Sequence, residues 1–263
     1  MTITDTVWVD LLQSKQAFLE TVVDPMIGWL DRYAAKRTLD LLEYQERNAV
    51  DGSLYEVGIY HGKYFSLLAR SAALTGSKVV GIDLFDYLTP ERFRAYFDEK
   101  FSPTNLAAVA SNFRWMVIEG SSGDISAGRL LKELGSEARF ISIDGSHEYD
   151  DVMWDLRVAE QVLAPAGVIS VDDIINPICL GVAAATYHFL DSTPTLAPFA
   201  HMSNKFFLCR PGWADRYRSA LESAVLADEA EPKSNEYRSH YDAGARRNIE
   251  NVFRGYRILT IRL

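Results

Sequence analysis

Asp144 and His147 stand three residues apart in Ile143-Asp-Gly-Ser-His147, and Asp172-Asp173 closes a later apolar run, Val168-Ile-Ser-Val171. If the two runs are neighbouring strands, three carboxylates converge on one point. Like charges so close are costly unless a cation neutralises them or one carboxyl keeps its proton. An all-oxygen donor set favours a hard ion such as Mg²⁺ or Mn²⁺ over zinc, so Asp144, Asp172 and Asp173 are the candidate metal ligands. The plainer account of the last pair is an aspartate that caps the segment after it. An unperturbed imidazole titrates near pH ~6.5, which makes His147 a candidate general base. His61, His188, His201 and His240 have no comparable company and read as structural, with His61 close enough to the preceding turn to line a ligand.

A second group stands earlier in the chain. Glu56-Val-Gly58-Ile-Tyr60-His-Gly62 ends one apolar run, and Asp83-Leu84-Phe85 ends the next. Gly58 and Gly62 flank a tight turn at which the backbone can approach a ligand closely. Tyr60 occupies the position where a dinucleotide fold carries the second glycine that admits a pyrophosphate. This argues against NAD and for a ligand without phosphates. A carboxylate at Asp83 can take both hydroxyls of a ribose, so an adenosyl group suits the pair of segments.

The elements that would position these residues follow from the apolar periodicity. Between Trp8 and Ala49 apolar residues recur at helical spacing, with Pro25 dividing at least two helices. Strands are expected near 53–58, 78–83, 114–118, 139–144 and 168–171, alternating with helices near 63–74, 90–111, 125–134 and 149–163. Such alternation calls for a parallel sheet covered on both faces. Ligands of that architecture bind outside the carboxyl ends of the strands. All five ends carry acids, glycines or serines, including Glu119-Gly-Ser121-Ser122. A helix near 180–190 then precedes two extended runs, 196–202 and 204–210, that fit an antiparallel edge pair. Residues 228–250 read as a polar loop, and 253–263 as a short strand or helix. The organisation expected is an N-terminal helical extension (1–50), a ligand-binding domain (51–212) and a C-terminal extension (213–263).

Taken in order, E-V-G-I-Y-H-G, G-I-D, G-S-S-G-D-I, I-D-G-S-H-E-Y-D-D-V and V-D-D-I resemble a class I S-adenosylmethionine-dependent methyltransferase over roughly residues 50–210. The metal-dependent O-methyltransferases of the catechol and macrolide-sugar types are the most similar. The resemblance implies a doubly wound, Rossmann-like α/β fold with a mostly parallel seven-stranded sheet and an antiparallel edge hairpin. It also implies that Glu56, Gly58, Tyr60 and Gly62 frame the methionine part of the cofactor. Asp83, with Leu84 beside it, would take the ribose, and Ser121 and Ser122 would border the adenine. Asp144 would lie against the cofactor and, with Asp172 and Asp173, hold Mg²⁺ or Mn²⁺, while His147 would be the base. Tyr64 departs from the catechol pattern, which has a small hydroxyl residue there. Histidine in place of a lysine base favours the sugar-type comparison.

Composition sets the outer bounds. The 263 residues carry 27 basic and 36 acidic side chains, a net charge of −9, which argues against a long nucleic-acid surface. Hydrophobic residues at 48% and charged ones at 24% fit a soluble globular protein. Cys179 and Cys209 lack the spacing of a zinc knuckle or redox pair, and no signal-like or membrane-length apolar run occurs. A cytoplasmic enzyme acting on a small-molecule acceptor is expected, with no nucleic-acid or membrane partner, and the apolar N-terminal helices leave room for a homodimer. The activity expected is metal-assisted methylation of a hydroxyl on a sugar-containing or phenolic natural product. The alternatives are a metal-independent methyltransferase relying on His147, a related hydroxylase, and a module that binds adenosylmethionine without turnover. An NAD oxidoreductase is weakened by Tyr60.

Overall fold

Ser53–Val57 and Ala138–Ile143 are buried along their whole length, as strands at the centre of a two-sided sheet must be. The computed structural model describes residues 14–101, 113–192, 195–245 and 249–261. The strands are β1 (Ser53–Val57), β2 (Lys78–Asp83), β3 (Arg114–Glu119), β4 (Ala138–Ile143), β5 (Leu163–Val171), β6 (Ala197–Met202), β7 (Lys205–Cys209), β8 (Glu250–Phe253) and β9 (Tyr256–Ile261). They form one sheet in the order β3-β2-β1-β4-β5-β7-β6-β9-β8. The first five are parallel; β7 is antiparallel to β5, and β6 to β7. The order reverses between β1 and β4, which opens a crevice beyond their carboxyl ends.

The helices are α1 (Lys15–Phe18), α2 (Arg32–Arg47), α3 (Phe65–Thr75), α4 (Pro90–Phe101), α5 (Ala127–Leu134), α6 (Tyr149–Val162), α7 (Leu180–Ser192), α8 (Ala214–Ala227) and α9 (Pro232–Asp242). One face of the sheet packs on Leu39, Phe65, Phe93 and Tyr217 from α2, α3, α4 and α8. The other packs on Leu130, Leu156 and Phe189 from α5, α6 and α7. Gly76 and Gly135 end α3 and α5 in the left-handed conformation that a helix terminus uses and a side chain resists. A π-helical turn, Leu19–Val23, follows α1, and the chain breaks before Pro25 and restarts at α2 with Asp31 capping Tyr33 N.

Two expectations need revision. Among the described residues the sheet has nine strands and not seven, because β9 pairs parallel to β6 and β8 pairs antiparallel to β9. Ile258, Leu259 and Ile261 are buried there, and the added strands cover what would otherwise be an open sheet edge. Second, the segment read as a polar loop contains α9. It buries only Ser234 and Tyr237, too narrow an apolar stripe to stand out in the sequence. From the two flanks, α2 and α8 share one apolar cluster with β1 and α3. Trp8, Leu11 and Leu12, the end of the helix expected to reach residue 111, and Arg246 and Arg247 lie outside the described residues. No helix among the described residues is long and apolar enough to cross a membrane.

Candidate active site

The turn after β1 is held by contacts that leave little freedom. Gly58 sits at φ +78°, and a Cβ there would stand 2.0 Å from the Asp144 carbonyl oxygen. The end of β1 therefore touches the end of β4 backbone to backbone. Gly62, at φ +83°, brings its Cα against the rings of Phe93 and Phe97. Tyr60 adopts φ +51° between them, a conformation that a non-glycine residue rarely takes. Asp83 pins the turn: Oδ2 accepts the Ile59 and Tyr60 amides at 2.7 and 2.9 Å, and Oδ1 accepts Phe85 N at 2.7 Å. Three of its roughly four acceptor positions are thus taken by backbone.

A cavity of about 940 Å³ opens above these strand ends and reaches Glu56, Asp83, Ser122, His147, Asp173 and Lys205. That volume lies near the upper end for small-molecule sites. Leu84 stands 58% exposed at its edge. Ser121 caps the short turn Ser122–Asp124 by accepting Gly123 N at 3.1 Å, and the Ser122 carbonyl accepts Trp154 Nε1 at 3.1 Å. Trp29 closes the opposite side, stacked on Tyr60 with ring centroids 5.0 Å apart, while Tyr87 meets Tyr60 edge-on at 5.5 Å.

At the cavity floor the acids converge, and the cation among them belongs to the protein. Phe206 of β7 lies opposite Val171 of β5, which brings Lys205 beside Asp172. Lys205 Nζ donates to Asp172 Oδ2 at 2.6 Å and lies 4.2 Å from the centre of the Tyr64 ring. Its side chain is 2% exposed. Burial alone would lower the Lys205 pKa, but the Asp172 and Asp144 charges outweigh it and hold the ammonium above its ordinary value. Burial, and then the Asp172 charge beside it, push the Asp144 carboxyl well above the usual range. Burial does the same to Glu56, whose Oε2 has no protein partner. Two acids are driven toward their neutral forms, and the third is matched by Lys205.

Asp173 turns the other way. At φ +58° its Oδ2 meets His147 Nε2 at 2.9 Å, and its Oδ1 accepts Asn176 Nδ2 at 2.9 Å and Asn204 Nδ2. Gly181, at the start of α7, packs against this loop; a Cβ there would lie 2.4 Å from the His147 carbonyl oxygen. Cys179 is buried nearby, and burial, then the Asp173 charge, raises its thiol pKa.

A divalent ion shared by Asp144, Asp172 and Asp173 does not fit this arrangement. Asp172 faces an ammonium, burial and the Asp172 charge drive Asp144 toward its neutral form, and both Asp173 oxygens are engaged. Among the described residues the group that brings three ligand atoms within 4.8 Å of one another is His147, Asp173 and Cys179, not the three aspartates. Sequence reasoning missed Lys205, Asn176, Asn204 and Trp29. The available signal was a lysine opening the otherwise apolar strand Lys205-Phe-Phe-Leu-Cys209, after two acids that needed a counter-charge.

A family described as a methyltransferase domain matches residues 55–174. No curated protein matches the chain in sequence. Among solved structures, CalS11, a TDP-rhamnose 3′-O-methyltransferase of calicheamicin biosynthesis, is 19% identical, with a TM-score of 0.53 over 79% of this chain and 93% of its own. An O-methyltransferase from Bacillus cereus, solved with S-adenosylhomocysteine, is 19% identical, with a TM-score of 0.52 over 79% and 91%. The O-methyltransferase NovP is 12% identical, with a TM-score of 0.50 over 79% and 99%. At these identities the likeness establishes the fold, and the matched segment includes the ends of β1 to β5 at the cavity, whereas Trp29, Asn176, Asn204 and Lys205 lie outside it. Residues 55–174 match a methyltransferase domain, and the chain shares the fold of these solved O-methyltransferases.

Proposed function

We propose that the protein methylates a hydroxyl oxygen of a small molecule, sugar-containing or phenolic, with His147 as the base. The observation that carries the reading is the His147–Asp173 pair, 2.9 Å apart, in the same cavity as the glycine turn after β1. The residues suit S-adenosylmethionine. Gly58 leaves a cradle that any side chain would fill, Glu56 keeps an unpartnered buried oxygen, and Asp83 retains an acceptor position for a ribose hydroxyl. Leu84, Ser121 and Ser122 line the adenosine side in this reading, and Tyr60 and Gly62 the methionine side. When bound, S-adenosylmethionine supplies a methyl group on a positively charged sulfur.

The rest is work for the chain's own side chains. An alkyl hydroxyl is a weak acid, and its oxygen attacks well only as its proton leaves. In this reading Nε2 faces Asp173 and carries the proton, so Nδ1 of His147 offers the lone pair that takes the proton of the acceptor. Asp173 then stabilises the imidazolium, and Asn176 and Asn204 keep its carboxylate in place. Holding donor and acceptor in line supplies much of the remaining rate, since oriented reactants are worth ~7–11 kcal/mol. Of the readings open to the sequence this is the metal-independent one, chosen because the acid cluster is already neutralised by Lys205.

The test is His147→Ala. Turnover should fall by ~10²–10⁴-fold, the usual worth of general-base catalysis, while calorimetry shows unchanged affinity for S-adenosylhomocysteine. Retained turnover overturns the assignment.

A further inference from the structure

We propose that Lys205 is a built-in counter-cation: its ammonium holds the place among Asp172, Asp144 and Glu56 that a divalent ion would need, so the site acquires metal affinity only when that charge is removed. The inference deepens the function proposed above, and rests on it for the claim that the acid cluster belongs to the active site.

Three observations and one electrostatic argument support it. Lysine is among the residues least often buried, and is buried only when paired; here the side chain is 2% exposed and paired at 2.6 Å. The placement is fixed by the backbone, because Phe206 is in register with Val171 and the hairpin partner of Lys205 is Met202. The ammonium is also held from above by the Tyr64 ring at 4.2 Å, and the Tyr64 hydroxyl is itself 3.2 Å from Thr38 Oγ1 on α2. Finally, a dication at Asp172 would sit within a few ångströms of the ammonium, and like charges repel most strongly where water is excluded. Lysine and metal therefore compete for one carboxylate. On this view Lys205 is a positioning residue: it keeps Asp172 and Asp144 together beside the loop that carries His147, with no inorganic ion to recruit.

The experiment is a Mn²⁺ titration of the full chain, followed by electron paramagnetic resonance and calorimetry, for the wild type, Lys205→Ser and Lys205→Arg. Lys205→Ser removes the charge and opens room for an ion, whereas Lys205→Arg keeps the charge. Expected are no stoichiometric Mn²⁺ site in the wild type or Lys205→Arg, and at least a tenfold gain in Mn²⁺ affinity in Lys205→Ser, lost again on adding Asp172→Asn. Should Lys205→Ser fail to fold by circular dichroism, Lys205→Gln, which keeps most of the stem, takes its place. A wild type that binds Mn²⁺ in one-to-one ratio overturns the proposal, and so does a neutral variant that gains nothing. Because Mn²⁺ binding needs neither donor nor acceptor, its outcome is independent of the methyl-transfer reading. S-adenosylhomocysteine calorimetry on the same samples reports on that reading separately.

Discussion

Asp173 Oδ2 lies 2.9 Å from His147 Nε2 on a backbone held at φ +58°, a conformation that costs a non-glycine residue on the order of 1 kcal/mol. The strain turns the Asp173 carboxylate away from its neighbour Asp172 and toward the histidine. Adjacent aspartates thus serve two different partners, Lys205 and His147.

Asp173→Asn should separate orientation from binding. The amide cannot stabilise an imidazolium and can hold the wrong tautomer, so kcat should fall by ~10²-fold or more, with KM for the donor little changed. Steady-state kinetics would show a rise in donor KM with kcat intact if the residue served binding instead.

Gly58→Ala should be far more damaging than Gly120→Ala. Both glycines have positive φ, but a Cβ at Gly58 meets the Asp144 backbone at 2.0 Å, whereas one at Gly120 meets nothing within 4 Å. Urea unfolding should show a loss of more than ~2 kcal/mol at Gly58 and ~1 kcal/mol at Gly120. Equal losses would mean that conformational strain, and not the contact between β1 and β4, sets the need for glycine.

Stability should carry a pH signature from Asp155. Burial on α6 raises its carboxyl to about 7. The folded state therefore binds a proton that the unfolded state releases near the ordinary value of 3.8. This contribution is whole below pH ~4, declines as pH rises, and is gone above pH ~7, an effect on the order of a few kcal/mol. Asp155→Asn should accordingly raise Tm at pH 8 while leaving it nearly unchanged at pH 4. A gain of equal size at both pH values would point to packing and not to ionisation.

Trp29→Ala should leave the fold alone. The indole is 85% exposed and stacks on Tyr60 at the cavity mouth. Stability should change by less than ~0.5 kcal/mol, and the acceptor KM should rise severalfold with the lost aromatic face. An unchanged KM would remove Trp29 from the acceptor site.

The parallel half of the sheet was legible because each strand is a short apolar run, ended by glycine or an acid, with a helical period after it. Gly76 and Gly135 close the helices expected near 63–74 and 125–134. The convergence of Glu56, Asp83, Asp144 and Asp172 followed from parallel topology alone. What was not legible depends on register and tertiary contact. Lys205 reaches Asp172 only because an edge hairpin pairs antiparallel with β5. Trp29 reaches Tyr60 only through the path of the chain between Val23 and α2. The helix Pro232–Asp242 carries so few apolar residues that its period was invisible. The need for a cation was sound; its source lay in the fold and not in the strand-end motifs.

Calorimetric titration of S-adenosylhomocysteine into the wild-type chain, with a chelator present, tests the central claim most directly. Expected is one site per chain, abolished by Gly58→Ala and retained by His147→Ala. An absence of binding in chelator that returns on adding Mg²⁺, or no binding under either condition, would contradict the metal-free methyl-donor site described here.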